Sequence, residues 1–123
     1  MTNAAAVPSA RILVVDDDPT VREAVCDVLS MLGYATDAAN GAGEALDRFR
    51  PGRYRLVVTD LAMPVMNGLQ LAQRLRALEP SLPITIFSGA FVPVEPALVG
   101  ITVACKPDIE GLARIVQRTL AGS

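Results

Sequence analysis

Three stretches of this chain are apolar at almost every position, with none of the alternation expected of a strand that faces water on one side. They lie in RILVVDDDPT (11–20), YRLVVTD (54–60) and LPITIFSG (82–89). A strand of this kind has to be covered on both faces, which is the situation of a parallel sheet held between two layers of helices. The intervening segments supply the helices. Asp18-Pro19 reads as an N-cap followed by proline at the first helical position. Val21, Val25, Val28, Leu29 and Leu32 then keep helical spacing until Gly33. YATDAA (34–39) is a weaker second strand, and Asn40 is expected to cap a helix that holds Ala45, Leu46 and Phe49 before Pro51-Gly52 breaks it. Asn67-Gly68 opens another helix carrying Leu69, Leu71, Ala72, Leu75 and Leu78. ITVACKP (101–107) is a fifth strand, and 108–120 makes a closing helix. Strands alternating with helices imply right-handed crossovers and one doubly wound α/β domain.

Composition narrows the chemistry. Hydrophobic residues make up 51% of the 123 positions but aromatics only 4%, so the core is expected to be aliphatic. The net charge of −2 gives no electrostatic footprint for nucleic acid or an anionic membrane. Arg48, Arg50, Arg53 and Arg55 cluster, and read as a solvated helix end whose cations suit the helix dipole. Cys26 and Cys105 lie in apolar runs and are expected to be small buried hydrophobes. Apolar runs are of strand length and Met1 to Ala10 lacks the pattern of a signal peptide, so a cytoplasmic protein with a short disordered leader over 1–10 is expected. There is no histidine, which excludes a Ser-His-Asp triad or a His-ligated zinc within the chain.

In a doubly wound sheet, ligands bind beyond the carboxyl ends of the strands. The first strand delivers Asp16 and Asp17 to that edge, the third Asp60, the fourth Ser88 and the fifth Lys106. Asp18 is accounted for as a helix cap. Three carboxylates at close range cost several kcal/mol unless one is protonated or a cation intervenes. An all-oxygen set without imidazole or thiolate suits Mg²⁺. Beside such a cation, an aspartate can attack phosphorus and carry an aspartyl phosphate, with Lys106 and Ser88 placed to contact the phosphoryl oxygens.

These residues resemble a known family. ILVVDDDP, VVTDLAMPVMNG, ITIFSGA and ACKP are similar, in order and approximate spacing, to the motifs of response-regulator receiver domains of the CheY-like kind. The resemblance covers 11–121. It implies a flavodoxin-like five-stranded parallel sheet of order 2-1-3-4-5, an arrangement for which general accounts of the fold use a receiver as an example. It further implies Asp60 as phosphoacceptor. Mg²⁺ would be held by Asp16, Asp17, Asp60 and the backbone carbonyl of Ala62. Ser88 would be the hydroxyl that moves toward the phosphoryl group, and Lys106 its cationic partner in a cis Lys106-Pro107 unit. The phosphodonor would be a phosphohistidine on a histidine kinase or histidine phosphotransfer protein. The protein would be a signalling phosphoacceptor, with its own phosphotransfer and autodephosphorylation chemistry, rather than a turnover enzyme. Lys106→Ala would keep the fold and slow phosphorylation.

Two departures bear on signalling. Receivers commonly carry Tyr or Phe three positions before the lysine, where this chain has Val103. Only eighteen positions separate Ser88 from Lys106, about one helical turn fewer than is usual. With Pro93 and Pro96, this predicts a fourth helix that is stunted or replaced by a loop across 90–100, with Phe91 as a possible substitute aromatic. The sequence ends just after the closing helix, so output is expected through contact with a downstream protein, with no nucleic acid or membrane involved. A receiver-like docking module that does not use phosphorylation is one alternative. An aspartate-nucleophile phosphatase of the haloacid-dehalogenase kind, using Asp16 and Asp18, is another, but it leaves the block around Asp60 unexplained.

Overall fold

The three aliphatic runs around 11–15, 54–59 and 84–88 form the central strands of a single sheet. The computed structural model describes residues 11–90 and 100–121. In chain order these form β1 (Arg11–Val15), α1 (Pro19–Met31), β2 (Thr36–Ala39), α2 (Ala42–Arg48), β3 (Tyr54–Thr59), α3 (Gly68–Leu78), β4 (Ile84–Ser88), β5 (Ile101–Cys105) and α4 (Ile109–Ala121). The sheet order is β2-β1-β3-β4-β5 and every pairing is parallel, as the sequence predicts. The leader expected over 1–10, the stunted helix and the placement of Phe91 fall within 1–10 and 91–99, outside the described residues.

The missing alternation has a direct explanation. Successive side chains of a strand point to opposite faces, and here both faces are covered. Leu13, Val15, Val57, Ile84 and Ile86 pack with Ala45 of α2 and with Leu71 and Leu75 of α3. Ile12, Val14, Leu56, Val58 and Phe87 pack with Val25 and Leu29 of α1 and with Leu112, Val116 and Leu120 of α4. The sheet thus separates two largely aliphatic cores, with Phe49 and Tyr54 buried in one and Phe87 in the other.

Register sets the geometry of the site. Val15 is level with Ala39 on one side and Thr59 on the other, so Asp16 and Asp60 leave the sheet side by side. The Asp60 amide donates to the Val15 carbonyl at 2.9 Å, extending the ladder one step past the strands. Ser88 is level with Cys105, and the Lys106 amide donates to the Ser88 carbonyl at 2.9 Å.

Three local expectations are corrected. Asn40 does not cap α2: the N-cap is Gly41, without a side-chain hydrogen bond. The Glu44 carboxylate instead accepts from the Asn40 amide at 2.7 Å, so the reciprocal contact comes from inside the helix. Phe49 is the C-cap of α2 and is buried, rather than part of the helix. The cysteines are not buried hydrophobes. Cys105 is exposed because β5 is an edge strand that covers less of its own surface than the central strands do, and Cys26, on α1, is half-buried at the margin of the core. The arginine cluster behaves as a helix end only in part: Arg50 donates to the carbonyls of Asp47 and Phe49 and Arg48 pairs with Glu44 at 3.4 Å, whereas Arg53 pairs with Asp37 at 3.9 Å and Arg55, on β3, donates to the Leu120 carbonyl at 3.2 Å.

Candidate functional site

At the carboxyl edge, the first turn after β1 is held by its own aspartates. Asp18 sits at an extended N-cap geometry and accepts from the Thr20 amide at 2.9 Å, with Pro19 following, as the sequence predicts. Asp16 turns back to accept from the Asp18 amide at 2.9 Å through Oδ1. Its other oxygen, Oδ2, lies 3.0 Å from the Lys106 ammonium. The same ammonium donates to Asp60 Oδ1 at 3.2 Å. Lys106 therefore answers part of the repulsion between two buried carboxylates, a resolution that runs through a third strand and is invisible to local spacing.

Asp16 is 3% exposed and Asp60 8%, whereas Asp17 is exposed. One oxygen from each of the three lies within 4.8 Å of the others, so the carboxylates converge as expected. Burial, and then the Asp16 charge, push the Asp60 carboxyl above its usual range, against the hydrogen bond and charge of Lys106. Burial works against the Lys106 ammonium, but the hydrogen bonds and charges of Asp16 and Asp60 outweigh it and raise its pKa. The site is a carboxylate pocket with negative charge in excess of the single ammonium that faces it. Its donor set fits Mg²⁺: three carboxylates drawn together, with no histidine in the chain.

Ser88 is buried at the end of β4, adjacent to Lys106 through the backbone ladder. Its hydroxyl accepts from the Ala90 amide at 3.0 Å and so closes the turn that follows the strand. Ala62 lies two residues past Asp60, exposed in the loop between β3 and α3. Lys106-Pro107 is a cis unit, as the resemblance implies. Val103 is 39% exposed on β5.

The loop after Asp60 shows why its motif reads as it does. Asn67 caps α3 in a full capping box with Gln70, at 2.8 and 2.9 Å. Gly68 donates to the Leu61 carbonyl at 2.7 Å, and a Cβ there would collide with the Asp60 carbonyl oxygen. Thr59 donates its hydroxyl to that same oxygen at 2.9 Å. Val65 takes φ 72 and is fully exposed, a left-handed conformation uncommon for a β-branched residue. Thr59, Gly68 and Arg22, which donates to the Asp16 carbonyl at 2.7 Å, are site residues that sequence reasoning missed. Only Gly68 carried a signal, as part of the Asn67-Gly68 helix start.

The raised Asp60 pKa has a testable consequence. A carboxyl whose folded pKa exceeds its unfolded value of 3.8 favours the fold while protonated, and that contribution is lost as pH rises through the folded value. Asp60→Asn should remove the loss and stabilise the metal-free protein at neutral pH by roughly 1 kcal/mol. Urea midpoints at acid and neutral pH check this. A variant less stable than the parent at neutral pH contradicts it.

Comparison with known proteins bears on the family and the fold. The response regulator receiver domain family matches residues 12–99. Response regulator MprA of Mycobacterium bovis is 41% identical over 81 residues, which are 66% of this chain and 35% of that protein. The chain thus spans about a third of the length of the curated relatives it matches. Response regulator TrrA of Thermotoga maritima, solved in complex with Mg²⁺-BeF, superposes with a TM-score of 0.79 at 30% identity, covering 89% of this chain and 97% of that one. TrrA in complex with the histidine kinase ThkA superposes equally well, with a TM-score of 0.79 at 31% identity over the same shares of the two chains. By the family match over 12–99 and by the strand order of its sheet, this chain belongs to the response regulator receiver domain family.

Proposed function

We propose that the segment 11–121 is a receiver that accepts a phosphoryl group on Asp60 from a phosphohistidine of a histidine kinase or histidine phosphotransfer protein. The observation that carries this reading is the convergence of Asp16, Asp17 and Asp60 within 4.8 Å, with the Lys106 ammonium between Asp16 and Asp60. The complexes of TrrA with Mg²⁺-BeF and with a kinase support it by analogy. A carboxylate oxygen of Asp60 attacks phosphorus. A P–O bond forms, the P–N bond breaks, and the electron pair departs with the imidazole nitrogen of the donor. Asp16, Asp17, Asp60 and the Ala62 carbonyl would hold Mg²⁺, which when bound supplies charge neutralisation for the phosphoryl oxygens.

Lys106, kept cationic by Asp16 and Asp60, is positioned to transfer part of its charge pairing to the incoming phosphoryl group. Ser88 would exchange its Ala90 partner for a phosphoryl oxygen, which couples phosphorylation to the start of the segment after β4. The role is signalling rather than turnover, read by a downstream protein and not by nucleic acid or membrane. The net charge of −2 suits that reading. No helix among the described residues is long and apolar enough to cross a membrane, in keeping with a cytoplasmic site of action.

Incubation with acetyl phosphate and Mg²⁺ tests this by intact mass. The parent should gain one phosphoryl group, and Asp60→Asn should gain none. No gain in the parent would leave the docking-module reading, and a gain that persists in Asp60→Asn would move the acceptor elsewhere.

A further inference from the structure

The main-chain carbonyl of Asp16 lies past the last paired residue of β1, in the turn that carries all three of the consecutive aspartates. It accepts a 2.7 Å hydrogen bond from Nη1 of Arg22, a half-buried residue one turn into α1. The Arg22 amide also donates to the Asp18 carbonyl at 2.9 Å, so this residue grips the turn from both its backbone and its side chain. The Asp16 side chain is already committed, through Oδ1 to the Asp18 amide and through Oδ2 to Lys106. Asp17 has no comparable anchor of its own among the described hydrogen bonds. The direction in which its side chain leaves the backbone depends on the orientation of the Asp16–Asp17 peptide, and Arg22 holds the oxygen of that peptide.

We infer that Arg22 is a positioning residue for the cation site: its guanidinium holds the Asp16–Asp17 peptide so that Asp17 converges with Asp16 and Asp60. The inference rests on the Mg²⁺ reading above. Its logic is that of outer-shell partners, which orient ligands without touching the metal and whose loss typically weakens binding about 10- to 100-fold. Electrostatics makes the opposite demand. A guanidinium near a cation site repels the cation, so removing it for charge reasons alone would tighten binding. The sign of the change therefore separates positioning from simple charge.

The test is Mg²⁺ titration by calorimetry and by amide NMR shifts of the metal-free chain, comparing the parent with Arg22→Met and Arg22→Lys. Methionine keeps the aliphatic stem and loses the donor; lysine keeps a donor and the charge. Arg22→Met should bind Mg²⁺ about tenfold more weakly, with metal-free amide shifts concentrated at Asp16 to Asp18, and Arg22→Lys should recover most of the affinity. If Arg22→Met fails to fold, Arg22→Gln, which retains a shorter neutral donor, should still bind more weakly than the parent. Unchanged or tighter Mg²⁺ binding in a folded Arg22→Met or Arg22→Gln overturns the inference. A parent that does not bind Mg²⁺ at all overturns the cation reading beneath it, a different and separately visible result.

Discussion

Replacing Lys106 by methionine should lower the stability of the metal-free protein by about 3 kcal/mol at neutral pH, although the fold is retained. The Lys106 side chain is only 22% exposed, and the carboxylates it bridges are 5% and 10% exposed. Deleting one partner of a buried charge group leaves the others uncompensated, which costs more than the pair itself contributes. Here two anions are left. From sequence alone Lys106 was expected only to matter for phosphorylation; its contacts to both Asp16 and Asp60 add a structural role. Two controls follow from the same contacts. The deficit should narrow on acidification, as Asp60 takes up its proton, and Asp60→Asn added to Lys106→Met should restore part of the loss. In the parent, the raised Lys106 pKa means that its contribution is fully present below pH 10.5 and fades as pH rises through the folded value. Urea unfolding of the two single variants and the double variant measures all of this. A Lys106→Met protein as stable as the parent at neutral pH contradicts it.

Gly68→Ala is the second large effect, expected to destabilise by about 2 kcal/mol. Alanine at a helix start would ordinarily be neutral or slightly favourable, since it restricts the unfolded chain. At Gly68, however, the new methyl group meets the backbone carbonyl of Asp60 and the Cα of Leu61, neither of which can rotate aside as a flexible side chain would. The loop from Leu61 to Asn67 must lift away from α3. That motion pulls on the Asp60 carbonyl, which also accepts from the Thr59 hydroxyl. Phosphoryl uptake should fall together with stability. Gly43→Ala, within α2 and with open space around its Cβ, is the matched control and should be neutral or mildly stabilising. Equal urea midpoints for Gly68→Ala and the parent would refute the collision.

What could be read from the chain and what could not divide along physical lines. The strands β1, β3 and β4 were legible because burial on both faces removes polar residues from consecutive positions, a signal local in sequence. The Asp18-Pro19 and Asn67-Gly68 helix starts were legible for a similar reason, since a cap acts within three residues. The convergence of Asp16, Asp17, Asp60 and Lys106 followed from topology, because a parallel sheet delivers every strand end to one edge. The bridging of Asp16 and Asp60 by Lys106 did not, because it depends on side-chain reach across three strands. The Asn40 cap failed by one position: the helix is capped by Gly41, and Asn40 lies outside it with its own amide bonded to the Glu44 carboxylate. Cys105 was misread because an apolar run does not reveal that its strand lies at the edge of the sheet, where one flank lacks a neighbour.

The sheet that divides the two aliphatic cores has a consequence for how such a protein can diversify. Ile12 and Leu13 are consecutive in the chain, yet each contributes to a different packed cluster, and the same holds for Leu56 and Val57. Either helical layer can be recut to suit a new acquaintance while the opposite layer keeps its fit, because their side chains meet only through the backbone of the strands. What both layers share is the row of strand ends, and there a change is felt on both sides at once. Drift is therefore cheap on the flanks and expensive along the rim.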